Sequence, residues 1–331
     1  MYGADDRLDY FETDSEAARA TLASAAVALI PRSNVGAQGG LSQATPSFGA
    51  SNQLCAGERF SEQPAAAFCS GVLVDWDLVL TAGHCVQPFA ISDFVVVLGY
   101  YLEAPGQLAL REGGLLDVAE VVAVERGGVG ASPRVDYAWL RLAHAVSAPN
   151  APVPVLVDST QVSVDQAVTV ISAVGGTPLK ADAGGRVRDP RSEWDDYLVA
   201  DTDTNHGSSG AGLFNERFEL VGVLARGGTD FAITAEGCYT SSVVSDASAA
   251  EEEFTYAGRA LAGLCAQEPK RSLCRAGCAG VCQAEARRVV VASGGCAFTR
   301  GAQRAPSWLV LTFATVLAAR VRRRQVSQRR R

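Results

Sequence analysis

Three residues far apart in this chain are of the types that together can break an acyl bond. His84 closes the run Leu80-Thr81-Ala82-Gly83-His84-Cys85, where apolar β-formers lead into an imidazole with a cysteine beside it. A ring held at a strand end with one face reachable can act as a general base. Asp136 opens Asp136-Tyr137-Ala138-Trp139-Leu140-Arg141-Leu142, an alternating apolar strand. A carboxylate at such a mouth can turn toward a histidine, fix its tautomer and stabilise the imidazolium formed during proton transfer. Ser209 lies in Asn205-His206-Gly207-Ser208-Ser209-Gly210-Ala211. Attack by its hydroxyl would build negative charge on the substrate oxygen, to be met by preorganised N–H donors. Glycine at 207 lets the backbone aim an amide there, and glycine at 210 leaves room for a substrate chain. His84 thus reads as base and then acid, Asp136 as its orienter and Ser209 as nucleophile, with the amides of Gly207 and Ser209 as oxyanion hole. Alone, each signal is weak: a single His or Asp often just completes a turn, and Gly-Ser-Ser-Gly also occurs in linkers.

Short strands must position these groups. Ala66–Val74, the turn Asp75-Trp76-Asp77 and Leu78–Thr81 form a hairpin that delivers His84. Further β-like runs are Phe94–Leu98, Leu116–Val124, Val168–Ser172, Tyr197–Val199, Leu213-Phe214 and Leu220–Leu224, the last three bracketing Ser209 in a tight loop. With 48% hydrophobic and 20% charged residues among 331, and Gly 33, the composition suits an all-β globular protein. A formal net charge of -7 with no distributed basic face argues against a nucleic-acid partner. Nine cysteines point to an oxidising compartment, since the spacing of Cys69 and Cys85 matches no zinc knuckle. Zinc on the C-terminal set Cys265, Cys274, Cys278 and Cys282 is the alternative to bridging, but no histidine accompanies it, and neither metal nor cofactor is expected.

The histidine, aspartate and serine phrases, in that order, resemble the trypsin-like (chymotrypsin-fold) serine peptidases over residues 25–244. Asp203-Thr204 ahead of Gly-x-Ser-Gly, and a long lead-in in place of an activation sequence, resemble the bacterial glutamyl-endopeptidase-like branch. The resemblance implies two six-stranded antiparallel β-barrels with the three residues in the cleft between them, a Cys69–Cys85 disulfide, and peptide-bond hydrolysis through an acyl-enzyme. Asp203 then stands where digestive trypsins hold the carboxylate that selects Arg or Lys, unless Asp203-Thr204 is a structural loop cap; Thr204 and Arg226 join it as pocket candidates. Leu224 replaces the histidine by which glutamyl endopeptidases bind acidic side chains. Ser208 replaces the aspartate that receives a freed N-terminus. Ala225 replaces a serine that supports the catalytic aspartate, and Ala211-Gly212 departs from the usual small residue and proline, which implies a looser nucleophile loop. A catalytically silent binding or adhesion protein on the same fold is the competing reading. His206 and His144 read as loop residues.

Residues 1–24 read as a lead-in whose acidic start lacks a basic leader, so an export signal is expected upstream of Met1. Residues 245–295 read as an acidic linker and a partly helical, Cys-rich extension in which Cys55, Cys238, Cys265, Cys274, Cys278 and Cys282 pair in an undetermined order. In 296–331, Gly295-Cys296 precedes an apolar run, 305–319, and an arginine cluster. That tail resembles the myxobacterial C-terminal sorting signal, which implies export, a hydrophobic tail helix in the membrane, processing near Cys296 by a sorting peptidase, and a cell-surface or extracellular place. A buried amphipathic helix is the other reading. Protein or peptide substrates complete the expected partners.

Overall fold

The expected hairpin forms. Cys69–Asp75 pairs antiparallel with Leu78–Thr81, and the helical turn Gly83–Val86 follows at once. All four residues of Leu78–Thr81 are buried, so the strand that aims His84 is fixed on both faces. The computed structural model describes residues 1–87, 89–110, 113–127, 133–246 and 249–275.

The hairpin is central to a seven-stranded antiparallel sheet that runs Leu115–Leu116, Phe94–Leu98, Ala26–Pro31, Cys69–Asp75, Leu78–Thr81, Asp136–Leu142, Val118–Arg126. Asp136 is therefore the first residue of the strand beside the one that carries His84. A second sheet of eight strands runs Arg7–Leu8, Lys180–Asp182, Thr169–Ser172, Gly212–Phe214, Leu220–Arg226, Glu252–Tyr256, Tyr197–Ala200, Val187–Asp189. Each sheet curls around its own apolar filling, and the fold is chymotrypsin-like. The strand counts exceed six because short edge strands are added; one of them, Arg7–Leu8, comes from the lead-in and pairs with Lys180–Asp182.

The segment after residue 244 departs from the linker expected there. Glu252–Tyr256 lies inside the second sheet, hydrogen-bonded to both Tyr197–Ala200 and Leu220–Arg226. Its charged start hides a strand, because Glu252, Phe254, Thr255 and Tyr256 are all buried. The helix Ala257–Gln267 then crosses back to the first sheet. Trp139, wholly buried, donates its indole N–H to the carbonyl of Ala260 at 2.8 Å. The Tyr137 ring fills the space where a side chain on Gly263 would stand. Arg271 pairs with Asp75 and Asp77 at the hairpin turn, each at 2.8 Å, and Cys265–Cys274 closes the loop that carries it.

Two further disulfides are present: Cys69–Cys85, as the family resemblance implies, and Cys55–Cys238, a pairing the sequence left open. Cys278, Cys282, Cys296 and the apolar run 305–319 lie outside the described residues. Among the described residues no helix is long and apolar enough to cross a membrane.

The lead-in is anchored by a buried ion pair. Lys180 Nζ meets Asp9 Oδ1 and Gln63 Oε1, each at 2.6 Å, and the Pro178 carbonyl at 3.1 Å. Burial pulls the ammonium down to about 8 against the opposing pull of Asp9. Removing one partner of such a pair strands a desolvated charge, at a cost of about 3 kcal/mol or more. Asp9→Ala should therefore lower the urea midpoint strongly, whereas Asp9→Leu combined with Lys180→Met should recover most of the loss.

Candidate active site

His84, Asp136 and the Ser209 loop converge where the two sheets meet. The Asp136 carboxylate, 4% exposed, is gripped twice by one residue: Oδ1 accepts the His84 amide at 3.0 Å, and Oδ2 lies 2.8 Å from His84 Nδ1. That contact fits the tautomer with the proton on Nδ1, which leaves Nε2 as the basic nitrogen. Gly83 makes the grip possible, since a Cβ there would stand 2.8 Å from Asp136 Oδ1 and 2.6 Å from the Glu125 carbonyl. The main chain of Asp136 is held in turn by Thr255, whose hydroxyl accepts the Asp136 amide at 2.9 Å and donates to its carbonyl at 3.1 Å. Ala225, buried beside them, offers no hydroxyl.

The Ser209 loop leads into Gly212–Phe214 of the second sheet but is docked on the first. The Ser209 carbonyl accepts the Ser70 amide at 2.7 Å and lies 3.6 Å from Cys85 Sγ. A Cβ on Gly210 would meet Ser70 O, Thr81 Oγ1 and, at 2.9 Å, Ala82 N. The loop therefore packs against residues on both sides of His84. Two glycines shape it in the left-handed region, Gly207 at φ 93° and Gly210 at φ 81°. At Gly207 a Cβ would also stand 2.5 Å from Gly176 N and 2.6 Å from Ala173 O. Among the described residues no protein acceptor takes the amide N–H of Gly207 or Ser209, as an oxyanion hole requires.

Ser208 turns away from the cleft; its hydroxyl donates to Ser172 Oγ at 3.1 Å inside the barrel. The looseness expected from Ala211-Gly212 is absent. Both residues are buried, the Ala211 amide bonds the Ser208 carbonyl at 2.8 Å, and its carbonyl accepts the Leu224 amide at 2.9 Å. A side chain at 212 would meet Val72 and the Phe214 ring, so glycine fits where the sheets touch.

A polar cavity of about 180 Å³ opens beside Ser209, with Thr204, Arg226, Asp230 and Glu252 in its walls. The base-of-pocket candidate Asp203 does not line it. Asp203 is pinned by the lead-in: Oδ1 accepts the Tyr2 amide at 2.7 Å and Oδ2 the Asp6 amide at 3.1 Å. Its own amide donates to Asp182 Oδ2 at 2.6 Å. Thr204 does face the cavity and donates its hydroxyl to Glu252 Oε2. Arg226 is tied to Glu253 Oε2 at 2.9 Å and the Gly127 carbonyl at 2.6 Å. Exposed His206 donates its amide to Asp230 Oδ2 at 2.8 Å. His144 is exposed. A larger apolar cavity of about 510 Å³ beside Leu261, Cys265 and Cys274 shares no wall residue with this one.

Glu252 went unnoticed in the sequence because it stands in the charged run Glu251-Glu252-Glu253. The legible signal was the β-rich phrase Phe254-Thr255-Tyr256 behind it. Burial pushes its carboxyl up to about 7, against hydrogen bonds from Thr204 and the Gly228 amide that pull it down. Burial likewise raises Asp230 and, helped by Asp203 next to it, lifts Asp182 to about 7.

Residues 69–223 match the family model of the trypsin-like peptidase domain. No curated protein matches the chain. Among solved structures, the VesB protease of Vibrio cholerae is 17% identical with a TM-score of 0.45, covering 74% of this chain and 63% of its own. This chain therefore spans a little under two thirds of that protein. An inactive serine-to-alanine mutant of Rv3671c from M. tuberculosis H37Rv is 15% identical with a TM-score of 0.43, covering 78% of this chain and 93% of its own.

The raised Glu252 carboxyl has a signed consequence for stability. The folded state holds this proton more tightly than the unfolded chain, so the group's contribution is full below about pH 4.5 and is lost as pH rises through about 7. The swing is roughly 3 kcal/mol at most. Thermal melts should show Glu252→Gln gaining on the wild type between pH 4.5 and 8; a constant gap would contradict the assignment.

Proposed function

We propose that this chain is a serine endopeptidase acting through Ser209, His84 and Asp136. The observation that carries the reading is the double grip of Asp136 on His84, at 3.0 and 2.8 Å, directly against the docked Ser209 loop. A peptide carbonyl above Ser209 would be attacked by Oγ as His84 Nε2 takes the hydroxyl proton. The amides of Gly207 and Ser209 would hold the oxyanion, and the imidazolium would then protonate the departing amine. Water would enter by the same route in reverse, with His84 again as base, and release the acyl group. Asp136 stays ionised throughout and keeps the ring in register.

Protein or peptide substrates follow from the peptidase domain. The disulfides Cys55–Cys238, Cys69–Cys85 and Cys265–Cys274 support an exported protein. We extend the proposal to surface sorting through the tail that holds Cys296, the apolar run 305–319 and the terminal arginines, on sequence alone. The silent-module alternative loses its main support, because the loop through Ala211-Gly212 is buried and hydrogen-bonded.

A fluorophosphonate probe tests the chemistry. The wild type should be labelled on Ser209, and Ser209→Ala should not react at all. His84→Ala and Asp136→Asn should cut kcat for a peptide substrate by about 10⁴-fold with the fold intact. Folded wild-type protein that stays unlabelled would refute the reading. For export, periplasmic or surface fractionation of the natural gene product with non-reducing mass analysis should find the three disulfides formed; a fully reduced cytosolic pool would argue against it.

A further inference from the structure

The cavity beside Ser209 is where the side chain on the acyl side of the scissile bond would enter, so its walls decide which peptides are cut. We propose that Glu252, and not Asp203, is the residue that reads this side chain, and that the cavity accepts a cationic one of the lysine or arginine kind. The inference rests on Ser209 being the nucleophile only for its meaning in catalysis; the binding chemistry stands on the cavity itself.

Glu252 comes from Glu252–Tyr256, a strand across the barrel from the nucleophile loop, and reaches the cavity because Gly227 and Gly228 carry no side chains in front of it. Its carboxylate occupies the space where a Cβ on Gly227 would stand. The Gly228 amide donates to Oε1 at 3.2 Å and the Thr204 hydroxyl to Oε2, which fixes the head group in one orientation. A carboxylate has about four acceptor sites, so these bonds leave lone pairs for an incoming ammonium or guanidinium. Asp230 adds a second acid to the same wall. The fixed cation in the lining, Arg226, is already satisfied by Glu253 and the Gly127 carbonyl. Asp203 is spent on the amides of Tyr2 and Asp6 and does not line the cavity.

The electrostatics favour a cation further. A desolvated carboxyl held near 7 is half protonated around neutral pH, and a bound cation would draw it into the ionised form through a charge-assisted hydrogen bond. The groups that face it are Asp230, Arg226 and His206 across the cavity, Asp203 behind Thr204, Glu251 just before its strand and Glu253 on it, and the Tyr2 hydroxyl and Met1 amino group of the lead-in. The Met1 amino group eases ionisation, while Asp230 opposes it. The preference for a basic side chain should therefore strengthen as pH rises from 6 to 8.

Binding of p-aminobenzamidine, a fluorescent cation of this shape, separates the pocket from the chemistry when measured on Ser209→Ala protein. The expected result is saturable binding that tightens from pH 6 to 8 and weakens at least about tenfold when Glu252→Gln is added. Glu252→Asp should retain part of it, and circular dichroism should report both variants folded. On the Ser209-containing protein, peptide libraries should be cut after Lys or Arg, and Glu252→Gln should lose that preference, its kcat/KM falling for basic side chains relative to uncharged ones. Absence of binding, or binding unchanged by Glu252→Gln, overturns the proposal. Cation binding that depends on Glu252 in a protein the fluorophosphonate probe never labels would uphold the pocket and refute the hydrolase reading instead.

Discussion

The site depends on one wholly buried hydroxyl residue, Ser70, through which the two barrels are joined. Its amide donates to the Ser209 carbonyl at 2.7 Å, and its hydroxyl donates to the Gly207 carbonyl at 3.0 Å while accepting the Ala173 amide at 2.9 Å. Its carbonyl accepts the Thr81 hydroxyl at 2.7 Å, at the end of the strand that leads into His84. Each polar group of Ser70 thus carries a bond, and three of the four bonded groups come from loops that join strands of the second sheet. Buried polar groups are costly unless satisfied, so the sheets dock in the one arrangement that satisfies them. That arrangement fixes the nucleophile loop against the turn that carries the imidazole. The Cys69–Cys85 disulfide flanks the same junction and keeps the ends of the hairpin from drifting apart.

The second barrel bears the opposite kind of constraint. Asp182, Asp203, Asp230 and Glu252 lie close together in its interior and wall, and burial raises all four carboxyl groups. Backbone amides, Thr204, His206 and the lead-in offset part of that desolvation, so the barrel is strained electrostatically where a substrate side chain would enter. Binding sites commonly concentrate unfavourable ionisation that a ligand relieves. The first barrel keeps its acid, Asp136, bonded twice to His84, as the proposed role of orienter requires.

The three catalytic candidates were legible because each is set by its near neighbours: Gly83 and Ala82 for His84, the strand 136–142 for Asp136, two glycines for Ser209. The all-β class and the hairpin followed from the same local patterning. What escaped the sequence is held by distant partners. Asp203 reads as either a pocket base or a loop cap until residues 2 and 6 arrive from the other end of the chain to bond its carboxylate. Glu252 reads as linker charge until strands 197–200 and 220–226 close on either side. Cys55 finds Cys238 across 183 positions, and no spacing rule announces such a pair. The Thr255 hydroxyl holds the Asp136 main chain from a strand 119 positions away, a support that no local phrase announces.

The central claim is geometric: one serine, one imidazole and two amides of separate barrels share a single reacting atom. The most direct measurement is a crystal structure of the protein after reaction with a peptidyl phosphonate. The account predicts phosphorus bonded to Ser209 Oγ, one phosphonyl oxygen within hydrogen-bond reach of the Gly207 and Ser209 amides, and His84 Nε2 facing the leaving-group side. A phosphonyl oxygen directed to solvent, or modification of any residue other than Ser209, would contradict it.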